Sequence, residues 1–582
     1  MILLLLALCL GPGARAAATG QANRPGGSAL SGGQSSNQQT PTEAARLSAA
    51  KQLYEQGRWS ELLLATAASP AGAADLDFYR GMALAKLGRW SEARAALESG
   101  EKKAPGDKRF PTELAGIEYR LKNYDAAKAN LGRAVRLDPR DAYALNFLGT
   151  IYLLRGNLEA ALATWNRAGL PEIHGIETEP ESRVRAGLLE RAFTFSRLST
   201  LTLGEFQTTE ARLDGLGVFS LERWELRPSG NDSFDAVFHA AERDGWGANK
   251  WVAALSMLRG LPYETIYPTY WNARGEAMNF EGLVRWDAQK RRAWGSVSMP
   301  IEGDPRWRLV AYADARDENW DLQGAFGSAA APLSDLKLRR VEAGASVESI
   351  ESGRWTWTAG AAFTRRLFGN FSGASAAAAS FFTGGNSLEY RAGSSYTFLS
   401  IPQRRLTGTA SGSAAAGRMF AGSFGAYGRT QESAELDWLP REQGDDYEMR
   451  VQIRAGQTFG RVPFDELFTL GVERDDNDLW LRGIPATHDG RKGNAPKGRN
   501  YVLWNWEDDK IVHQGAFFEV RIGPFLDAGR ISDPSGVFGS RGWLWDPGVQ
   551  LKIRVLDAVS VALSYGHDMR SGQNTFFGAT GR

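Results

Sequence analysis

The sequence predicts a multidomain protein in which a solenoid of helical repeats and a small α+β domain precede an antiparallel transmembrane β-barrel of about 16 strands. Three observations predict this order. Small residues recur with a 34-residue period, a short mixed segment follows, and many later segments alternate between apolar and polar residues. We expect the repeats over residues 44–172, the α+β domain over 186–245 and the barrel over 262–582.

The composition limits the classes of protein to consider. The 582 residues allow about three or four domains. Hydrophobic residues make up 43% of the chain and charged residues 23%, which is typical of folded proteins and not of disordered ones. Lys and Arg number 68 against 67 Asp and Glu, and this balance argues against bulk binding to nucleic acid.

The first 43 residues are predicted to contain a signal peptide and a flexible linker. An apolar run from Ile2 to Leu10 and the small residues around Ala16 predict a signal peptide over residues 1–16. The Gly/Ser/Gln/Asn-rich residues 17–43 predict a flexible linker. The one cysteine, Cys9, lies in the signal peptide, so we expect a mature chain without disulfides, cysteine-ligated metals or a thiol nucleophile. Because no later stretch has about 18 consecutive apolar residues, any membrane crossing has to use strands.

The repeat signature consists of residues that recur 34 positions apart, and an imperfect earlier unit begins near Gly57. The small columns are Gly81, Ala115 and Gly149, and Ala93, Ala127 and Ala161; the bulky column is Trp90, Tyr124 and Leu158. Small residues let paired helices approach, and bulky ones fill the space between pairs. This pattern resembles the tetratricopeptide repeat. The resemblance implies a concave surface that binds periplasmic proteins, with a rigid spacer as the alternative.

The period changes after the repeats. Residues 192–198 read as a strand, 204–215 as a short helix, and 221–226 and 234–240 as two alternating strands. This order resembles one polypeptide-transport-associated (POTRA) domain. A small α+β spacer is the alternative.

Strict alternation dominates the last part of the chain. It is clearest in residues 447–454, 549–555 and 559–566. A soluble sandwich alternates too, but 15 of the 19 tryptophans lie at or after Trp246, as expected of a barrel with interfacial aromatic residues. Dividing the 321 residues of 262–582 by 16 leaves about 20 for each strand and its connection. We therefore expect a closed cylinder with a lipid-facing exterior.

Four motifs follow one another in the last 120 or so residues. They are Val462–Gly471, the tetrapeptide Leu481-Arg482-Gly483-Ile484, Tyr501–Glu507 and Phe525–Arg530. Their order resembles the outer-membrane protein assembly and two-partner secretion superfamily of Gram-negative surface-antigen barrels, whose members join POTRA domains to a 16-stranded barrel. Leu481 and Ile484 depart from the family loop motif V/I-R-G-F/Y, and the chain lacks the usual terminal aromatic residue.

The motif residues also make a prediction about the barrel interior. The two-residue period of the strands points four motif side chains into the lumen, namely Glu507, Phe525, Asp527 and Gly529. The resemblance implies that Arg482 is the tip of a long loop folded back into the barrel, with Asp527 as its first partner and Glu507 as its second. The guanidinium group of an arginine can donate hydrogen bonds from two nitrogens to one or two carboxylates, which the ammonium group of a lysine cannot do. A glycine at position 483 permits a tight turn beside the arginine. The alternative is an ordinary surface arginine.

The sequence carries no sign of catalytic chemistry. The five histidines, His174, His239, His488, His513 and His567, have no metal-ligand spacing. A G-x-S-x-G nucleophile motif and a phosphate-binding loop are both absent from the sequence. We therefore predict neither an enzyme nor a bound metal or cofactor.

The resemblance implies an outer-membrane protein with its N-terminal domains in the periplasm. It would translocate polypeptides across the outer membrane or insert them into it. The expected partners are outer-membrane lipid, polypeptide clients and periplasmic proteins held by the repeats, and not nucleic acid. Two alternatives stay open: an exopolysaccharide-export porin with a tetratricopeptide scaffold, and a soluble repeat-containing adhesin or scaffold.

Overall fold

The computed structural model describes twelve stretches of the chain. They are residues 43–67, 73–230, 233–247, 249–322, 335–372, 381–420, 425–441, 446–474, 477–515, 517–540, 542–555 and 559–581. The predicted signal peptide, nearly all of the linker, and Cys9 lie outside these residues. Within the described ranges, no helix is long and apolar enough to cross a membrane.

Helical pairs form the N-terminal domain, as the 34-residue period predicts. The helices are α1 (Glu43–Glu55), α2 (Trp59–Ala65), α3 (Ala74–Lys86), α4 (Trp90–Lys103), α5 (Arg109–Arg120), α6 (Tyr124–Leu137), α7 (Ala142–Leu154) and α8 (Leu158–Trp165). The small signature residues lie where paired helices touch: a Cβ on Gly81 would lie 2.5 Å from Leu97, and one on Gly149 would lie 2.4 Å from Trp165. The predicted repeat domain is confirmed.

The α+β domain has a four-stranded sheet with two helices packed against it. Its elements are β1 (Glu172–Glu179), α9 (Ala186–Ala192), β2 (Ser199–Thr200), α10 (Leu203–Leu216), β3 (Phe219–Pro228) and β4 (Ser233–Glu242). The strand order is β2-β1-β4-β3, with β1 parallel and β3 antiparallel to β4. Thr202 and Glu205 form a capping box at the start of α10.

One predicted strand of this domain was wrong. Residues 192–198 do not form a strand: α9 ends at Ala192, and Phe193 and Phe195 pack on the indole of Trp224 instead. The alternation of these aromatic residues therefore reflects packing against β3 and not pairing within a sheet. The first strand is β1, which begins at residue 172 and not after 186. Only Ile173 of β1 is fully buried, so this strand lacks the alternation of apolar and polar residues from which the other strands were predicted.

The barrel follows the short helix α11 (Lys250–Leu258). Its strands and those of the segment inside it are β5 (Thr265–Ile266), β6 (Thr269–Ala273), β7 (Met278–Trp286), β8 (Lys290–Ile301), β9 (Asp304–Trp320), β10 (Asp335–Ser352), β11 (Trp355–Ser372), β12 (Gly385–Ile401), β13 (Leu406–Met419), β14 (Ala426–Trp438), β15 (Tyr447–Gly460), β16 (Phe468–Thr469), β17 (Thr487–His488), β18 (Arg491–Lys492), β19 (Lys497–Gly498), β20 (Asn500–Gln514), β21 (Phe518–Ser532), β22 (Leu544–Val555), β23 (Val559–His567) and β24 (Asn574–Gly581). Wall strands pair antiparallel in chain order, with β15 beside β20. The predicted antiparallel β-barrel is confirmed.

The two ends of the sheet meet at a seam that differs from the expected closed cylinder. In the barrel order β24 is next to β5, but no backbone ladder joins them in the described part of the chain. Side chains connect the edges instead. The hydroxyl of Tyr263 is hydrogen-bonded to that of Thr580, and Arg474 Nε donates to the carbonyl oxygen of Gly578 at 2.7 Å. The seam is therefore held by side chains and not by strand pairing.

The strands around the motifs have the predicted orientation. On β20, Val502 is 43% exposed on the outer face, whereas Asn505 is 8% exposed on the inner face. On β21, Ile522 is 47% exposed and Asp527 is fully buried. At these positions the exposed side chains are apolar and the buried ones are polar, which is the alternation expected of a membrane-spanning barrel.

Candidate functional site

The connection between β15 and β20 folds back into the barrel over its described residues, 461–474 and 477–499. We call it the lumen segment. Apolar residues give it a core that it shares with the inner wall: Phe468, Leu470, Leu479, Leu481, Ile484, Ala486, Ala495, Tyr501, Leu503, Ile531 and Leu544. It is therefore a packed structure inside the bore, and several groups of charged residues attach it to the wall.

The first attachment is Arg482, which is 2% exposed. Its Nη2 and Nε donate to the Asp527 carboxylate at 2.6 and 2.8 Å, and its backbone nitrogen donates to the same carboxylate at 3.0 Å. Its Nη1 donates to Glu507 Oε1 at 2.6 Å. The guanidinium also lies 3.7 Å from the ring centroid of Phe525. The structure therefore brings Arg482 together with three of the four lumen residues that the sequence indicated.

Further polar groups fix the two carboxylates in place. Asn505 Nδ2 donates to Asp527 Oδ1 at 2.7 Å, and Lys552 Nζ donates to Glu507 Oε2 at 2.8 Å. Gln550 accepts from Arg482 Nη1 at 2.8 Å and donates to Glu507 at 2.9 Å. Both carboxylates therefore accept hydrogen bonds from Arg482 and from further polar groups. Such charge-assisted hydrogen bonds are strong, and the planar guanidinium fixes their geometry.

The glycines of the motifs are required by close packing. A Cβ on Gly483 would lie 2.7 Å from Asp546 Cγ, whose carboxylate accepts from the Gly483 backbone nitrogen at 2.7 Å. A Cβ on Gly529 would lie 3.1 Å from a methyl group of Leu470. Gly529 thus contacts the apolar part of the lumen segment and not Arg482 itself.

Two motif residues depart from the family pattern, and both are buried. Leu481 is fully buried in the core shared with the wall. Ile484 is 9% exposed, packs in the same core, and donates its backbone N–H to Leu481 at 3.0 Å, which closes the turn around Arg482. Aliphatic side chains therefore fill the core at both of these positions.

The second attachment has the opposite polarity, and the sequence did not predict it. The acids Asp465 and Glu466 lie on the lumen segment, and the arginines lie on the wall. Arg366 of β11 is fully buried; its Nε lies 2.7 Å from Asp465 and its Nη2 lies 2.6 Å from Glu466. Arg340 of β10 lies 3.3 Å from Asp465, and Arg429 of β14 lies 3.5 Å from Glu466.

The third attachment is Lys492. Its Nζ lies 2.7 Å from Glu318 of β9, and both side chains are buried. Its backbone pairs in parallel with Trp320 at the end of the same strand. The lumen segment is therefore attached to strands on several parts of the wall.

The remaining predicted residues have structural positions. The repeat-signature residues Gly81, Ala93, Ala115, Ala127, Gly149 and Ala161 all lie buried inside the helix pairs. They shape the solenoid and do not themselves form a binding surface. Among the residues that the structure describes, no group of three or more His, Cys, Asp or Glu side chains could hold a metal ion.

Comparison with known proteins gives matches to both halves of the chain. A family model for the tetratricopeptide repeat matches residues 112–173. No curated protein sequence matches the chain. One of the solved structures that match the chain is the crystal structure of BamA from Haemophilus ducreyi lacking POTRA domains 1–3. It is 14% identical with a TM-score of 0.41, and the match covers 70% of this chain and 84% of that one.

Two further solved structures match the chain. CdiB from Escherichia coli matches with 15% identity and a TM-score of 0.43, over 70% of this chain and 73% of that one. MamA matches with 14% identity and a TM-score of 0.21, over 22% of this chain and 78% of that one.

Proposed function

We propose that the protein is an outer-membrane β-barrel that translocates polypeptides across the bacterial outer membrane or inserts them into it. The observation that carries the proposal is the packed lumen segment that Arg482 holds on Asp527 and Glu507. Some outer-membrane barrels are open channels and others are plugged from inside. A plug that hydrogen bonds and ion pairs hold in place could be released to let a client pass. The proposed activity involves no covalent chemistry.

The connections between strands support a periplasmic position for the N-terminal domains. Residues 302–303, 353–354 and 402–405 are short turns at one end of the barrel. Outer-membrane barrels have short turns on the periplasmic side and longer loops outside. The N-terminal domains contact these same turns: Asn157 Nδ2 donates to the carbonyl of Pro402 at 2.9 Å, and Thr208 Oγ1 accepts from the backbone of Gly353 at 3.0 Å.

The two periplasmic domains would recruit what the barrel handles. In the α+β domain, which we propose acts as a POTRA domain, β3 is an edge strand of the sheet. An edge strand can accept a client strand by β-augmentation. The repeat solenoid would bind a periplasmic protein on its concave surface.

The experiment compares two arginines of the barrel interior. Arg482→Ala removes the guanidinium contacts with Asp527 and Glu507 and keeps the backbone hydrogen bond to Asp527. Arg521→Ala is the matched control, because the Arg521 guanidinium bonds two wall residues, Glu519 at 2.7 Å and Glu448 at 2.5 Å. Both variants are expressed in place of the native protein, and barrel level, folding and the outer-membrane and surface proteomes are measured.

We expect Arg482→Ala to deplete client proteins at a normal level of folded barrel, and Arg521→Ala to leave them unchanged. Normal client levels in the Arg482→Ala strain would contradict the proposal. Loss of a surface polysaccharide with unchanged surface proteins would instead assign the barrel to polysaccharide export.

A further inference from the structure

A cavity of about 630 Å³ lies between the α+β domain and the rim of the barrel. Helix α9 forms its domain side, and parts of β7, β8 and β9 with the turn at residues 302–303 form its barrel side. Arg191 of α9 joins the two sides, because its Nη1 donates to the carbonyl oxygens of Glu302 and Gly303 at 3.2 and 3.1 Å. The volume is within the range typical of small-ligand sites, roughly 300–1,000 Å³.

The cavity offers a ligand apolar surface and no excess of charge. The four charged residues given for its lining in the described part of the chain are two arginines and two acids. Arg185 pairs with Glu276 at 2.6 Å, Arg191 bonds the turn, and Glu302 is exposed to water. The apolar side chains of the lining are Leu188, Met278, Met299, Pro300, Ile301 and Leu309.

Three of these apolar side chains belong to the outer face of the barrel wall. Met278 is two residues before Phe280 on β7, and Phe280 is 43% exposed on that face. Val297 of β8 pairs with Phe280, and Met299, two residues later, pairs with Leu309 of β9. The cavity is therefore continuous with the face of the wall that a membrane would cover.

The cavity lies at the level where the hydrocarbon of a membrane would end. Trp307 is two residues before Leu309 on the same face of β9, and its ring is 5.5 Å from that of Trp357 on β11. Both tryptophans pair with Ser349 of the strand between them, so they share the outer face. Tryptophans on the outer face of a membrane barrel mark its interfacial level.

We propose that this cavity holds an acyl chain of a membrane phospholipid, between α9 and the outer wall of β7, β8 and β9. A polypeptide segment would bring backbone N–H and C=O groups, which are costly to leave unpaired in an apolar space. An acyl chain has no such groups and reaches the cavity along the outer wall. This site requires the barrel to lie in a membrane and does not depend on what the barrel transports.

Gly187 of α9 is the position from which the cavity can be closed. It lines the cavity, and a Cβ added to it would meet nothing within 4 Å. Gly187→Trp therefore fills the cavity without an initial clash, and Gly187→Ala leaves most of it open. Gly204→Trp is the matched control, because Gly204 of α10 also has open space around its Cβ and does not line the cavity.

The test uses the purified full chain in phosphatidylethanolamine vesicles. Three photoreactive probes are compared: phosphatidylethanolamine with a diazirine at the end of one acyl chain, phosphatidylethanolamine with a diazirine on the headgroup, and a fatty acid with a terminal diazirine. Mass spectrometry locates the label after irradiation. Label on α9 reports occupation of the cavity, and label on β22 and β23 reports ordinary contact of the outer wall with lipid.

We expect the acyl-chain probe to label α9 in the native chain, and Gly187→Trp to lower this label about tenfold because the indole occupies the space of the chain. The label on β22 and β23 should not change. In Gly187→Ala and Gly204→Trp the α9 label should stay within about twofold of native, because neither variant fills the cavity.

Native labelling of β22 and β23 without labelling of α9 would overturn the proposal and leave the membrane position of the barrel intact. Unchanged α9 labelling in Gly187→Trp would also overturn it. Stronger labelling of α9 by the headgroup probe than by the acyl-chain probe would show surface contact only and have the same result. Equal labelling by the fatty acid would overturn the phospholipid assignment and identify a fatty-acid site.

Discussion

The carboxylate of Asp527 accepts three hydrogen bonds from Arg482, two from the guanidinium and one from the backbone nitrogen. Both side chains are almost completely buried. The backbone contact means that the arginine is held by its position in the turn as well as by its charge. Gly483, where a side chain would collide with Asp546, is therefore part of the same site.

The fork of Arg482 should be more important than its charge. Arg482→Lys keeps the charge but loses the two-nitrogen contact, so we expect it to weaken the attachment almost as much as Arg482→Ala. In Arg482→Ala, which leaves Asp527 buried without its charged partner, the cost is about 3–5 kcal/mol. Limited proteolysis of the lumen segment in the folded barrel measures this, with Arg521→Lys as the control. Native protease resistance in Arg482→Lys would contradict the importance of the fork.

Arg366 should be as important for the lumen segment as Arg482. Arg366→Ala leaves Asp465 and Glu466 short of their buried partner, at a cost of about 3–5 kcal/mol. We expect faster proteolysis near Asp465 and a lower urea midpoint for barrel unfolding. The triple variant Arg366→Leu/Asp465→Asn/Glu466→Gln removes the acids as well and should recover part of the loss. No difference between the single and triple variants would contradict a role for the charges.

The sequence predicted the features that depend on short-range patterns. The repeat is visible because three columns of residues share one period. Arg482 was assigned because its tetrapeptide resembles a family loop motif, and strand alternation added only that Glu507 and Asp527 point inward. The pairing of Arg366 with Asp465 was missed because these residues are 99 positions apart, and their contact depends on how the barrel curves. The one available sign of this contact was that strand alternation points the Arg366 side chain into the barrel.

The errors have similar physical causes. Strand β1 has few buried apolar residues, so its sequence does not alternate clearly. Its inner position in the four-stranded sheet could therefore not be predicted from alternation. The seam between β24 and β5 joins the first and last strands of the barrel, which lie far apart in the sequence. Neither strand periodicity nor a motif shows whether two such strands pair through their backbones.

Arg474 should stabilise the last strand at the seam. Its guanidinium lies 4.7 Å from the ring centroid of Tyr263 and 5.2 Å from that of Phe577, and its Nε bonds the carbonyl of Gly578. Arg474→Ala removes the partner of an edge carbonyl, so we expect faster amide hydrogen exchange in β24. Mass spectrometry of peptides covering 574–581 measures this. Arg418→Ala serves as the control, and unchanged exchange in Arg474→Ala would show that the edge is held by other contacts.

The α+β domain should lose stability as the pH rises. Burial, with Glu159 and other neighbouring carboxylates, raises the pKa of Glu210 to about 8. Burial and Asp214 likewise raise the pKa of Glu222 to about 8. Both pKa values exceed the ordinary value, so the folded domain binds more protons than the unfolded chain between about pH 4.5 and 8. The free energy of unfolding therefore decreases as the pH rises through this window.

Amide hydrogen exchange of β3 and α10 in the full chain, corrected for the intrinsic effect of pH, measures the change. Exchange should be better protected at pH 6 than at pH 8.5. The variant Glu210→Gln/Glu222→Gln should remove most of this pH dependence because the neutral amides need no proton. The exposed residue Glu190 offers a matched control, since Glu190→Gln should preserve the dependence. Protection that increases with pH in the native chain would reverse the sign and contradict the assignment of these carboxyl groups.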